Sequence, residues 1–169
     1  DYIINTFDAQ LTEEYVKKLH SILKSGTSSE YNEYAPVGRY KVFENEVGQI
    51  ATVAVDQVEE AMYSLLLGYN FEKEKDLAYL ASFHARFERI HPFADGNGRV
   101  GRLLLYKECL KEGITPFIVD DTRKADYYNA LEQFQVYDNH QPLIDYFASE
   151  QKFYANYLKN KGFEGKIND

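Results

Sequence analysis

A chain of 169 residues with 44% hydrophobic and 15% aromatic content can bury a core of its own, which argues for one folded domain and against a disordered segment. A formal charge of −8 argues against a general nucleic-acid or anionic-membrane binder, since both depend on basic surface. The single cysteine, Cys109, excludes an internal disulfide and a Cys-built zinc site; with no secretory leader and no apolar run of membrane length, the expectation is a soluble, cytoplasmic protein.

The first ten residues carry little signal. Thr12 then caps a helix with Glu13 and Glu14 in its first turn, Tyr15, Leu19, Ile22 and Leu23 on its apolar face and Gly26 at its end. Thr27 to Arg39 is polar, contains Gly and Pro, and reads as a loop. Tyr40 to Phe43 and Val47 to Val53 flank Glu44-Asn45-Glu46, the pattern of a short β-hairpin. Such a hairpin is marginal on its own in water, so it should lean on the helices or on a ligand. Asp56 and Glu59 form a capping box for a helix ending near Gly68, with Val58, Met62, Leu65 and Leu66 inward.

After the charged stretch Glu72 to Asp76, a helix turns Leu77, Leu80, Ala81, His84, Phe87 and Ile90 toward the core. On that stripe His84 reads as a hydrogen-bonded core histidine, and Arg86 and Arg89 read as a solvated face. The next helix buries Val100, Leu103, Leu104 and Leu110, holds Cys109 as a packed thiol, and stops at Gly113 before Pro116. Asp121 or Thr122 caps another that carries Tyr128, Leu131 and Phe134. Pro142 opens the last at its N1 position, with Leu143, Phe147, Tyr154 and Leu158 inward and Gly162 closing it. The fold class is therefore all-α, a helical bundle with one short β-hairpin.

The chemistry gathers between His91 and Arg102, in His-Pro-Phe-Ala-Asp-Gly-Asn-Gly-Arg-Val-Gly-Arg. Pro92 disfavours the helical conformation at His91, so the preceding helix stops near Ile90 and His91 stands on a loop. Asp95, Gly96, Asn97 and Gly98 fall at the start of the next helix, where free N–H groups and the dipole favour an anion. Helix starts prefer acidic side chains, yet Arg99 and Arg102 put two cations on one face there. A polyphosphate between them accounts for that placement, since arginine's fork suits phosphate oxygens. Asp95 supplies a hard oxygen ligand for magnesium carried in on the phosphates.

His-x-Phe-x-Asp-Gly-Asn-Gly-Arg-x-x-Arg is complete here, and it resembles the signature of the Fic (filamentation induced by cAMP) family. The resemblance implies a Fic-type helical bundle with a hairpin flap, and an enzyme, a protein adenylyltransferase, that moves AMP from Mg-ATP onto a Ser, Thr or Tyr hydroxyl of a target protein. It implies His91 as general base, Asp95 as the Mg²⁺ ligand, Gly96, Asn97 and Gly98 around the α- and β-phosphates, Arg99 and Arg102 on the outer phosphates, and Phe93 as a core anchor. Tyr127, Tyr128 and Gln135 fall near the place of the family's adenine contacts, with Tyr128 as the platform for the base. The domain would span residues 1–169, with its core at about 11–161, its flap at about 38–53 and its active-site loop at 91–102; the flap would dock the target by strand addition. Related transfers with UMP or phosphocholine as donor group, and a non-catalytic nucleotide-binding interaction module, are the alternatives.

Many members of the family carry an inhibitory helix, Ser/Thr-x-x-x-Glu-Gly/Asn. Ser29 and Glu33 have its spacing but are followed by Tyr34; Glu164-Gly165 has its ending but Asn160 stands where Ser or Thr belongs. Either the Glu164-Gly165 ending is a divergent inhibitor, or the element lies outside this chain, in an upstream segment or an antitoxin-like partner; the second is the expectation.

Overall fold

A computed structural model describes residues 1–27, 34–47 and 50–161. Among them the chain forms seven helices, α1 (Tyr2–Thr6), α2 (Glu13–Lys24), α3 (Val58–Phe71), α4 (Leu77–Ile90), α5 (Asn97–Lys111), α6 (Lys124–Tyr137) and α7 (Gln141–Asn160), and two short strands, β1 (Glu46–Val47) and β2 (Ile50–Ala51). The fold is all-α, as the hydrophobic periodicity implies. No described helix is long and apolar enough to cross a membrane. Ser29, Glu33, Gly162 and the Glu164-Gly165 pair lie outside the described residues.

The chain divides into two compact units: residues 9–73 with 86–104, and residues 1–8 with 74–85 and 105–169. In the first, α2 begins as its sequence dictates: the Thr12 side chain accepts from the Tyr15 N–H at 3.1 Å, with Glu13 and Glu14 in the first turn. Its buried face is Tyr15, Val16, Leu19, His20 and Lys24, whereas Ile22 is exposed. Two polar side chains take inward positions that an apolar reading gives to isoleucine, because both have partners in the loop before α5. The box expected at Asp56 does not form. Residues Val55–Gln57 make a 3₁₀ turn that runs into α3 through Gln57, already near helical geometry, so no extended cap position exists. Glu44 instead accepts the Val55 N–H at 3.0 Å. α3 passes through Gly68 to Phe71 and buries Val58, Met62, Leu66 and Tyr69.

The hairpin is present but shifted along the chain. β1 and β2 pair antiparallel, Glu46 opposite Ala51 and Val47 opposite Ile50, so Tyr40 to Phe43 is not its first arm. That segment is used elsewhere: the Lys41 N–H donates to the Pro92 carbonyl at 2.8 Å, and the Tyr40 ring tilts against Phe93 at 5.7 Å. The hairpin root is a polar knot. Lys41 Nζ, almost fully buried, donates to Asn45 Oδ1 at 2.7 Å and to Thr52 Oγ1 at 2.8 Å, and Asn45 Nδ2 donates to the Phe93 carbonyl at 2.9 Å. Removing the Asn45 amide leaves a buried ammonium short of an acceptor, a penalty of about 1–3 kcal/mol. Asn45→Ala should therefore lower the unfolding midpoint and speed amide hydrogen exchange at Ile50 and Ala51; unchanged exchange would show the knot does not hold the strands.

In the second unit, Asp76 accepts from the Tyr79 N–H at 2.8 Å to start α4. His84 is buried and its Nε2 meets the Tyr127 hydroxyl at 2.7 Å, as a core histidine should. The cap before α6 is Asp120, accepting from Thr122 N–H, rather than Asp121 or Thr122. Consequently Tyr127 is buried on α6 and Tyr128 turns out, 49% exposed. α7 opens with Pro142 in its first turn and buries Leu143, Tyr146, Phe147 and Glu150. Phe147 sits 5.0 Å from Phe117 and 5.6 Å from His84, ring to ring. On α5, Leu105 is buried where Leu103 and Leu110 were expected, and Cys109 is a packed thiol, pushed up to about 12 by its burial.

Candidate active site

The loop between α4 and α5 carries the motif, and its shape follows from three residues. His91 has a φ of +52°, the left-handed region that a non-glycine side chain enters only under constraint. Phe93 is fully buried, and its backbone is held by Asn97, whose Oδ1 accepts the Phe93 N–H at 2.8 Å while its Nδ2 donates to the Phe93 carbonyl at 2.6 Å. Gly96 has a φ of +88°, open to glycine and strained for other residues. Asn97 is itself buried, so its side chain belongs to the loop; what it offers an anion is its backbone N–H at the start of α5.

His91 faces the Glu88 backbone carbonyl through Nδ1 at 3.3 Å. A carbonyl only accepts, so Nδ1 carries the proton and Nε2 is left with its lone pair. Burial, with Lys41 nearby, lowers the imidazole below its ordinary range against the opposing pull of the Glu88 carbonyl and Asp95. At neutral pH His91 is thus an uncharged base.

Asp95 is gripped from α2. Lys24 Nζ bonds Asp95 Oδ2, and Arg99 Nη2 approaches the same oxygen at 3.4 Å. The Lys24 hydrogen bond chiefly, then its charge, holds the carboxyl below the usual carboxylate range. His20 ties the same loop to Gly38, ahead of the hairpin. The Gly38 N–H donates to its Nδ1 at 2.9 Å, which leaves Nε2–H to donate to the Asp95 carbonyl at 3.0 Å, and the ring stacks flat on Phe93 at 3.9 Å. Burial keeps His20 below its ordinary range, consistent with this neutral tautomer.

At the mouth of α5 the Val100 N–H reaches back to the Gly96 carbonyl, and the N–H groups of Gly98 and Arg99 have no carbonyl one turn back within the helix. Arg102 folds over this turn: a Cβ added at Gly98 would meet Arg102 Nη1 at 3.2 Å. Arg99 is half exposed. His91, Asp95, Gly96, Asn97, Gly98, Arg99 and Arg102 all lie in one unit, around one loop and one helix start. Arg86 and Arg89 point to solvent, as expected. Tyr128 is in the other unit.

The donor set suits magnesium delivered with phosphates. That ion keeps several waters and takes one or two carboxylates plus phosphate oxygens, rather than a dedicated protein cage. Asp95 offers one carboxylate, whose Oδ2 is held by Lys24 and Arg99, and no group of three or more His, Cys, Asp or Glu that could hold a metal occurs among the described residues. Beside the hairpin root, a cleft of about 550 Å³ is lined by Lys17, Arg39, Tyr40, Lys41, Asp56 and Glu59, among others.

The model of the Fic/DOC family matches residues 10–109, more than half of the chain. The chain belongs to this family. Protein adenylyltransferase fic-1 of Caenorhabditis elegans is 29% identical over 118 residues, which cover 68% of this chain and 23% of that protein. The chain thus spans about a quarter of that relative's length. A Fic-domain-containing signaling protein from Bacteroides thetaiotaomicron shares the fold, at TM-score 0.75 and 24% identity, over 88% of this chain and 63% of that one. BepC from Bartonella tribocorum, a structure with bound AMPPNP, matches at TM-score 0.65 and 19% identity over 88% of this chain and 80% of that chain.

Around the Fic loop, His20, Lys24, Lys41, Asn45 and Glu88 escape a reading of the sequence. One signal for two of them is present: His20 and Lys24, four apart, interrupt the inward face of α2 beside Val16 and Leu19. Polar side chains on a buried face need partners, and partners point to a site.

Proposed function

We propose that this Fic domain is a protein adenylyltransferase, transferring AMP from Mg-ATP to a Ser, Thr or Tyr hydroxyl of a target protein and releasing pyrophosphate. The observation that carries this reading is His91: an uncharged imidazole with Nε2 as its basic nitrogen, on the loop that leads into a glycine turn and two arginines. A pure nucleotide binder has no use for a base in that place. The names of the adenylyltransferase relatives support the same reaction class.

The hydroxyl oxygen of the target attacks the α-phosphorus as its proton passes to His91 Nε2; the bond from the α-phosphorus to the bridging oxygen breaks, and pyrophosphate departs with the electron pair. Charge grows on the α and β oxygens, which this reading assigns to the N–H groups of the Gly96-Asn97-Gly98 turn. Arg99 and Arg102 hold the outer phosphates by charge-assisted, forked bonds. Magnesium, when bound at Asp95, supplies further neutralisation of the phosphate charge. Lys24 and His20 keep the Asp95 segment fixed. Tyr128 as an adenine contact and the hairpin as the docking edge for the target belong to the same proposal.

The test is incubation with radiolabelled ATP, CTP, UTP or GTP and cell lysate. Label from α-³²P-ATP on protein supports the proposal; label from another nucleotide moves it to a different donor, and nucleotide binding without any labelled product moves it to a binding module. Asp95→Ala should abolish the magnesium dependence of ATP binding while leaving residual metal-free binding; an unchanged response to magnesium in an ATP titration would remove Asp95 from the metal.

A further inference from the structure

Two costs in the site have no cause in the proposed mechanism. Glu88 is a carboxylate in the last turn of α4, the end where the helix dipole disfavours negative charge, and it is only 7% exposed. Gly101 lies inside α5, away from either end and without a left-handed φ, where glycine is poorer than alanine. The geometry joins them. A Cβ at Gly101 would stand 2.1 Å from Glu88 Oε1 and 3.1 Å from Phe87 Cδ1. A Cβ at Gly98 would have Arg102 Nη1 at 3.2 Å and Glu88 Oε2 at 3.9 Å, so the carboxylate and the guanidinium converge on one point over the glycine turn. Burial pushes the Glu88 carboxyl up to about 7, and Arg102 is the cation that pulls it back. The backbone carbonyl of this same residue holds His91 Nδ1.

We propose that Glu88 is a positioning residue: its side chain sets Arg102 over the phosphate turn while its carbonyl sets the base, and Gly101 is the notch in α5 that makes room for the carboxylate. One residue thereby fixes the spacing between the proton acceptor and the arginine assigned to the outer phosphates. Gly101, which occupies a variable position of the motif, acquires a reason that phosphate binding does not provide. The readout with nucleotide rests on the transfer reading above; the structural readout does not.

The experiment has two arms on the whole 169-residue chain. In the first, ATP and AMP are titrated in magnesium buffer against the parent and Glu88→Gln. Loss of one charge-assisted contact on the outer phosphates predicts about tenfold weaker ATP binding with AMP affinity unchanged. ATP binding that is unchanged or tighter, or an equal loss for ATP and AMP, overturns the positioning role. In the second, thermal midpoints are compared for Gly101→Ala, Glu88→Ala and the double variant. Gly101→Ala should lose several degrees or fail to fold, and the double variant should recover most of that loss. An equal loss from Gly101→Ala with and without the Glu88 side chain overturns the notch. If the parent binds neither nucleotide, the transfer reading falls and the thermal comparison alone decides the pairing of Glu88 with Gly101.

Discussion

His91→Ala should reduce AMP transfer by roughly 10²–10⁴-fold, which on most assays is abolition, while ATP affinity stays where it was. The separation follows from the geometry. The phosphates are assigned to N–H groups and guanidinium groups at the start of α5, whereas the imidazole acts on the incoming hydroxyl. Among the described residues the His91 ring makes one hydrogen bond, from Nδ1 to the Glu88 carbonyl. Activity and ATP binding measured on the same preparation decide the matter, and a parallel collapse of both would mean that His91 holds the loop rather than the proton. The pH profile of the parent gives a second check. Because burial lowers the His91 pKa, the acid limb of the transfer rate should lie below the ordinary imidazole value of about 6.5. The rate should hold as pH falls to that value and decline beneath it, where the base becomes protonated.

Phe93→Ala should be the most damaging change to the fold near the site. Deleting a buried phenylalanine costs about 3–5 kcal/mol, which for a chain of this size is on the order of 10 °C in the unfolding midpoint. Phe93 is fully buried, stacks flat on His20 at 3.9 Å and touches Tyr40 at 5.7 Å between ring centres. Its backbone also receives Asn97 and Asn45. Losing the ring therefore loosens α2, the hairpin root and the start of α5 together, and ATP affinity should fall with the midpoint. Phe93→Leu, which keeps most of the volume, should restore much of both. A midpoint within experimental error of the parent for the alanine variant would show that the loop is held by its hydrogen bonds alone.

The contrast between these residues shows what a sequence discloses. His91, Asp95, Gly96 and Arg102 are legible because a tight loop into a helix imposes fixed spacings on nearby residues, and spacing is what a sequence records. The helices are legible for a similar reason: Thr12 as a cap and the apolar stripes of α3 and α4 are local patterns. Lys24 and His20 are legible only in part: as polar residues four apart on the inward face of α2 they ask for partners, but Lys24 reaches Asp95 across 71 positions and nothing nearby names that partner. Lys41 and Asn45 were hidden by a plausible alternative. Their segment alternates well enough for a strand, and only closure onto Pro92 and Phe93 diverts it. Tyr128, expected inward, is exposed and Tyr127 is buried instead, because a 3₁₀ turn at Asp121–Arg123 precedes α6 and shifts its register. Register at a helix start is a matter of one residue, below the resolution of periodicity. Glu88 was invisible for a different reason, being a charged residue on a stripe where only a neighbour lacking a side chain could admit it.

The knot of Lys41, Asn45 and Thr52 has a consequence for any extended segment that adds to the hairpin. β1 and β2 contribute only two residues each, too few to stiffen one another. The stem is nevertheless held before any such segment could add to it, because its side chains are already bonded to each other and, through the Phe93 carbonyl, to the loop before α5. The entropy lost on docking then falls on the arriving segment and the hairpin's tip, and the offset between a docked hydroxyl and the imidazole becomes a property of the scaffold rather than of the guest.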